Sequence, residues 1–170
     1  AKILKALEQI ALVGAKVHCV VANPPYMGSG KMNGALKDFV KKEYPNAKAD
    51  LMTCFMERAL EMCVPEGRMA MINLPSWMFL GSFEDMRIDL LKNAHIESLV
   101  HNGRGVFGSD FGSVSFVLRR SKNLQAKGVY RRLFAEHVQV EDIDAKRMKF
   151  LDASYGWHYL SQVEFGGIPG

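Results

Sequence analysis

Apolar and polar positions recur along this chain with two different periods, and the switches between them outline its elements. Residues 2 to 13 place Ile3, Leu4, Leu7, Ile10 and Ala11 on one face at helical spacing. The run VHCVVA (17–22) is short, β-branched and almost wholly apolar, as expected of a strand covered on both faces in a parallel sheet. A polar, Gly-rich stretch follows as far as Asn46, with a short helix expected over 35–42. Asp50 stands where a helix cap belongs. Leu51, Met52, Phe55, Met56, Ala59, Leu60 and Cys63 then repeat at helical spacing until VPEG stops the run. RMAMINL (68–74) reads as a second buried strand. Ser82 and Asp85 open a capped helix that reaches Asn93, with Met86, Leu90 and Leu91 inward. IESLVHN (96–102) and SVSFVLRR (113–120) are further strands, GVYRRLF (128–134) is one more, and the remainder reads as connecting segment.

Strands alternating with helices imply right-handed crossovers and an α/β fold with a mainly parallel sheet. Strands 96–102 and 113–120 are joined only by a Gly-rich loop, which allows that pair to be an antiparallel hairpin. The 170 residues suffice for one domain with a core. A formal net charge of +4 permits a polyanionic partner without requiring one. The basic pairs Lys41-Lys42, Arg119-Arg120 and Arg131-Arg132 suit phosphate contacts or solvated faces. No apolar run approaches a membrane span. Cys19, Cys54 and Cys63 form no CxxC pair, and their apolar neighbours suggest reduced, buried thiols in a cytoplasmic protein rather than metal ligands.

The most informative stretch is VVANPPYMGSG (20–30), in which two prolines follow an asparagine and precede a tyrosine at the end of a strand. Ligands of open α/β sheets bind beyond the carboxyl ends of the strands. Proline fixes φ, and the residue before a proline is held extended. Asn23-Pro24-Pro25 is therefore a stiff arm rich in acceptors, and Tyr26 adds a flat face with a polar tip. The set suits a planar ring that bears an amino group. GSGK (28–31) is no P-loop, because Pro25 and Met32 stand where that motif needs Gly and Ser or Thr. Gly103, Gly105 and Gly108 spell GxGxxG, but a strand follows instead of the helix whose N-terminus would hold a pyrophosphate.

At these residues the chain resembles the S-adenosylmethionine-dependent N6-adenine DNA methyltransferases. NPPY after an apolar strand resembles their motif IV. DLMTCFMERALEMCVPEGRMAMINLPSWMFLGSFEDMRIDLL is similar to motif V with the next strand and helix, and GVFGSDFGSVSFVLRR to the motif VIII loop and strand. The style is that of the large single-chain methylases of restriction and phage-defence systems, including the BREX type. The resemblance implies a partial Rossmann-like class I sheet that lacks the cofactor-loop half. Residues 1–125 would be the carboxyl half of the catalytic domain and 126–170 a connecting segment toward a target-recognition region.

The resemblance also implies double-stranded DNA with a flipped adenine as substrate. Asn23 and Pro24 would accept the amine, backed by Pro25, with Tyr26 stacking on the base. Phe107, with Phe111 as alternate, would be the second aromatic. Asn23, Asp50 and Phe55 would line an S-adenosylmethionine site that is incomplete in this chain. Asp50 reads equally well as a helix cap, Phe55 as core and Phe107 as a core plug. The exposed edge of strand 17–22 would invite self-association. Two alternatives stand beside this one. An NPPY methyltransferase can act on protein glutamine or rRNA guanine, and the fold can serve as a non-catalytic DNA-binding or assembly module.

Overall fold

The computed structural model describes residues 2–108, 111–123, 125–136 and 140–167. In chain order its elements are α1 (Lys2–Gly14), β1 (Val17–Ala22), α2 (Gly34–Glu43), α3 (Leu51–Met62), β2 (Cys63–Asn73) and α4 (Glu84–Asn93). They are followed by β3 (His95–Arg104), β4 (Gly112–Arg119), β5 (Lys127–Arg132), α5 (Ile143–Leu151) and β6 (Trp157–Ser161).

All six strands form one sheet in the order β1-β2-β4-β3-β5-β6. β1 pairs parallel with β2 and β3 parallel with β5, whereas β4 runs antiparallel to both of its neighbours and β6 antiparallel to β5. Four strands therefore point one way and two the other. The antiparallel insertion follows from the connection between β3 and β4. Gly103, Gly105 and Gly108 take φ of 70°, 99° and 65°, a left-handed region open chiefly to glycine, so the chain turns back without a crossover helix.

The core lies on one side of the sheet. α3 contributes Met52, Cys54, Met56 and Ala59, and α4 contributes Met86 and Leu90. They pack on Met69 and Met71 of β2 and on Val114, Phe116 and Leu118 of β4, which sit two residues apart as strand geometry requires. The α4 helix opens differently from expectation. A short 3-10 turn, Gly81–Phe83, leads into it, and its N-cap is Phe83 with no side-chain hydrogen bond, so Ser82 is not the cap.

The other side of the sheet is open, which corrects the expectation that β1 is covered on both faces. β1 is an edge strand, and Val21 is 76% exposed. Cys19 is exposed as well, whereas Cys54 and Cys63 are buried as expected. The amphipathic α1 forms but buries none of its residues. The strand expected over 128–134 forms as β5, and the stretch after it, read as connecting segment, adds α5 and β6, so that β5 and β6 extend the sheet.

Candidate functional site

The parallel strands β1, β2 and β3 end at the same rim of the sheet, and the chain's unusual polar groups collect there. β1 stops at Ala22, and the next residues alternate between exposed and packed: Asn23 is exposed, Pro24 buried, Pro25 exposed and Tyr26 half-buried. The buried Pro24 ring anchors the arm while the asparagine amide faces outward. The Tyr26 hydroxyl lies 3.1 Å from Asn23 Oδ1 and 3.1 Å from the Ile72 carbonyl. A hydroxyl has one proton to donate, so the two acceptors share it. Burial raises the Tyr26 pKa, which keeps the phenol protonated as that donor. The ring is thereby tied to β2, and the asparagine amide is tied to the ring.

Asp50 fastens this arm to α3. Its Oδ1 accepts from the Met52 amide, as an N-cap does, and from the Met27 amide, each at 3.0 Å. Backbone bonds from Ser29 to Ala49 and from Leu51 to Met27 close the same junction. Asp50 is therefore a buried cap that also fixes the residues just after NPPY. Phe55 lies on the outer surface of α3 and is exposed rather than part of the core.

Phe107 and Phe111 occupy the β3–β4 loop, both about half exposed, so neither plugs the core. The base of this loop packs beside β2. A Cβ on Gly112 would come within 3.3 Å of Pro75 Cγ, and Asn73, the last residue of β2, pairs with Val114. Asn102 at the end of β3 donates to the Ser113 and Ser115 hydroxyls across the hairpin. The fold thus brings the NPPY arm and the aromatic loop to one rim, separated by the end of β2. Below them on the open face, an apolar groove of about 620 Å³ is lined by Val21, Asn23, Ile72, Val100, Ser115 and Val117.

One residue at this rim escaped the sequence reading. Asn73 is wholly buried directly behind the arm, and neither of its amide atoms has a hydrogen-bond partner among the described residues. Its only signal in the sequence is a polar residue closing an apolar strand. The basic pairs resolve differently from one another. Lys41 and Lys42 are exposed on α2. Arg119 pairs with Glu66 and Glu97, and Arg120 donates to the Cys63 carbonyl, both at the end of the sheet opposite the rim. Arg131 is buried and donates to carbonyls of Lys149, Phe150, Asp152 and Tyr155 at the end of α5, so it is structural.

Residues 5–107 match the family described as Eco57I restriction-modification methylase. The chain is 33% identical over 174 residues to the adenine-specific methyltransferase BrxX of Escherichia coli O9:H4 (strain HS), covering 100% of this chain and 14% of that protein. It is 37% identical over 159 residues to the adenine-specific methyltransferase PglX of Lacticaseibacillus casei (strain Zhang), covering 88% of this chain and 13% of that one. Among solved structures it resembles the DrdV–DNA complex with a TM-score of 0.66 at 18% identity, covering 91% of this chain and 18% of that one, a likeness of fold. The chain thus spans less than a fifth of the length of either curated relative.

Proposed function

This chain belongs to the Eco57I restriction-modification methylase family, and we propose that it forms the amine-gripping half of an adenine-N6 DNA methyltransferase that uses S-adenosylmethionine. The observation that carries this reading is the joint placement of Asn23 and Tyr26. Both stand at the rim, linked at 3.1 Å, with the amide exposed and the ring only half-buried. The relatives named adenine-specific methyltransferases point to adenine as the amine-bearing ring.

A base inside a duplex is out of reach, so adenine is flipped out at a cost of a few kcal/mol. Asn23 Oδ1 keeps a lone pair beyond the one engaged by Tyr26, and together with the Pro24 carbonyl it accepts the two N–H bonds of the amine. The nitrogen lone pair, otherwise delocalised into the purine, is thereby drawn out and held in line for attack. Tyr26 stacks on the base, a contact worth about 1–3 kcal/mol. Phe107, with Phe111 as alternate, supplies the second aromatic surface.

S-adenosylmethionine, when bound, supplies the methyl group. The three residues read as its site are dispersed: Asn23 is exposed at the rim, Phe55 is exposed on α3, and the Oδ1 of Asp50 is occupied as a cap. We read the site as incomplete in this chain and expect weak binding of S-adenosylmethionine by it alone. Micromolar affinity by titration calorimetry contradicts that. The partner is double-stranded DNA, and the setting is the cytoplasm. No helix among the described residues is long and apolar enough to cross a membrane.

The test is Asn23→Ala in the methylase that carries this chain, assayed side by side on duplex DNA, rRNA and protein. The expected result is N6-methyladenine formation on DNA alone, lowered about 10²–10³-fold by the substitution, the range for loss of one preorganised polar contact. Methylation of guanine or glutamine instead, or unchanged DNA methylation by the variant, overturns the reading. Salt-dependent DNA binding with no methylation of any substrate supports the assembly-module alternative.

A further inference from the structure

The segment read from sequence as a connector touches the aromatic loop at its base. Arg104 and Val140 form a parallel β-bridge. Gly105, at φ 99°, packs so closely that a Cβ there would lie 2.7 Å from the Glu141 carbonyl. A Cβ on Gly103, at φ 70°, would lie 2.8 Å from the Phe134 ring and 3.2 Å from Lys146 Nζ. Phe134 is buried and meets the His101 ring edge-on at 4.7 Å, while His101 Nδ1 accepts from the Gly103 amide. The loop's first residues are therefore wedged against Phe134 and Lys146 on one side and Val140 and Glu141 on the other.

Behind that wedge lies a buried ionic cluster. Glu141 is 8% exposed, and both of its carboxylate oxygens accept from Lys149 Nζ at 2.7 Å. Lys146 is 3% exposed, and its ammonium lies 3.9 Å from Glu141 Oε2 with no hydrogen bond among the described residues. Burial pulls the Lys146 pKa down, whereas the bond to Glu141 raises that of Lys149. One carboxylate thus compensates two ammonium groups, one of them facing the Gly103 backbone. Arg131 holds the far end of α5 through its carbonyl bonds and stacks 4.2 Å over Trp157, so the cluster stands on a braced helix.

Beyond Gly105 the contact opens into a cavity of about 400 Å³ between Gly105, Val106 and Gly108 on one side and Val140–Ile143 on the other. Phe107 stands at the loop tip, 54% exposed. The loop is packed at its root, while the Phe107 side chain beyond it is about half exposed.

We propose that Glu141, through Lys146 and Lys149, is a positioning residue for the aromatic loop: α5 and its buried ion cluster determine where Phe107 stands. The proposal rests on the reading of Phe107 as the second base-contacting aromatic. Removing the carboxylate leaves two ammonium groups facing each other in a poorly solvated site, so they separate and release the glycine root.

Amide hydrogen exchange on this chain tests the clamp without DNA or cofactor. Glu141→Gln is expected to speed exchange at 103–108 at least tenfold relative to β2 and β4, with a smaller gain in Lys149→Met and partial restoration in Glu141→Asp. Rates at 103–108 within twofold of wild type in both Glu141→Gln and Lys149→Met, or a rise spread equally over β2 and β4, overturn it. In the methylase that carries this chain, Glu141→Gln should lower kcat/KM at least tenfold on duplex DNA. If Glu141 acts through Phe107, the double variant Glu141→Gln with Phe107→Ala should lose little more than the worse single variant, within about threefold. Losses that multiply in the double variant mark a merely structural role and overturn the positioning claim. If the root loosens as expected while Phe107→Ala methylates normally, the base-contact reading fails and the clamp stands.

Discussion

Removing the Asp50 carboxylate separates two roles that the sequence left open for it. In the structure its Oδ1 serves two amides at 3.0 Å, Met52 at the start of α3 and Met27 at the end of the NPPY arm, and the residue is buried. Asp50→Ala loses a helix cap, about 0.5–2 kcal/mol. It also leaves the half-buried Met27 amide without its partner, at a cost that reaches about 1–3 kcal/mol where the freed donor is not met by water. The sum is about 1.5–5 kcal/mol, a large share of the roughly 5–15 kcal/mol that holds a domain together. At about 2–4 °C per kcal/mol for a chain of this size, the melting midpoint should fall by about 3–20 °C. Asp50→Asn keeps a carbonyl oxygen in the same place and should lose about 1 kcal/mol or less, since the cap preference of asparagine matches that of aspartate. Thermal and urea unfolding followed by circular dichroism measure both. An Asp50→Ala protein within about 0.5 kcal/mol of wild type, the ordinary scatter of surface substitutions, refutes the two-amide account. A stable Asp50→Asn protein that fails to methylate when placed in the active methylase shows instead that the charge itself meets the cofactor.

Tyr26→Phe removes the shared donor to Asn23 and Ile72 but keeps the ring. It should cost about 1 kcal/mol of stability and leave stacking intact, whereas Tyr26→Ala should also lower kcat/KM for DNA; equal kinetics for the two variants would refute the division. Glu57 has its pKa raised from 4.5 to about 7, chiefly by burial and then by the charges of Asp89 and Glu61. The folded state therefore holds a proton that the unfolded chain releases, and this contribution to stability is complete below pH 4.5 and is lost as pH rises through about 7. Glu57→Gln should raise the melting temperature at pH 8 relative to wild type and change it little at pH 4; a shift of the same size at both values contradicts the linkage. The unpaired edge of β1 should promote self-association at high concentration, and Val21→Lys should suppress it; sedimentation showing only monomer for the parent sequence at high concentration removes that prediction.

Much of the architecture was legible because it is written in local periods. α3 carries apolar residues at intervals of three to four and β4 at intervals of two, β1 is a short apolar run and β3 a short segment bounded by polar residues, and their observed bounds match the sequence reading closely. NPPY declared its own place, since proline rigidity at the end of an apolar run needs no distant partner to be recognised. α5 shows the opposite case. It buries Lys146 while Ile143, Met148, Phe150 and Leu151 stay exposed, so no hydrophobic period marks it. Its environment comes from Glu141, Arg131 and the glycine root of a loop far away in sequence.

The sequence by itself determined the helices and strands up to β4, the stiff acceptor arm and the aromatic loop, because each depends on neighbours within a few residues. Only the tertiary structure decided that β4 enters between β2 and β3, that Asp50 ties the arm to α3, and that Arg131 and Lys146 are interior residues. Strand order and the burial of charge depend on which distant groups arrive to pair and compensate. A local pattern of apolar and polar positions carries no record of those partners.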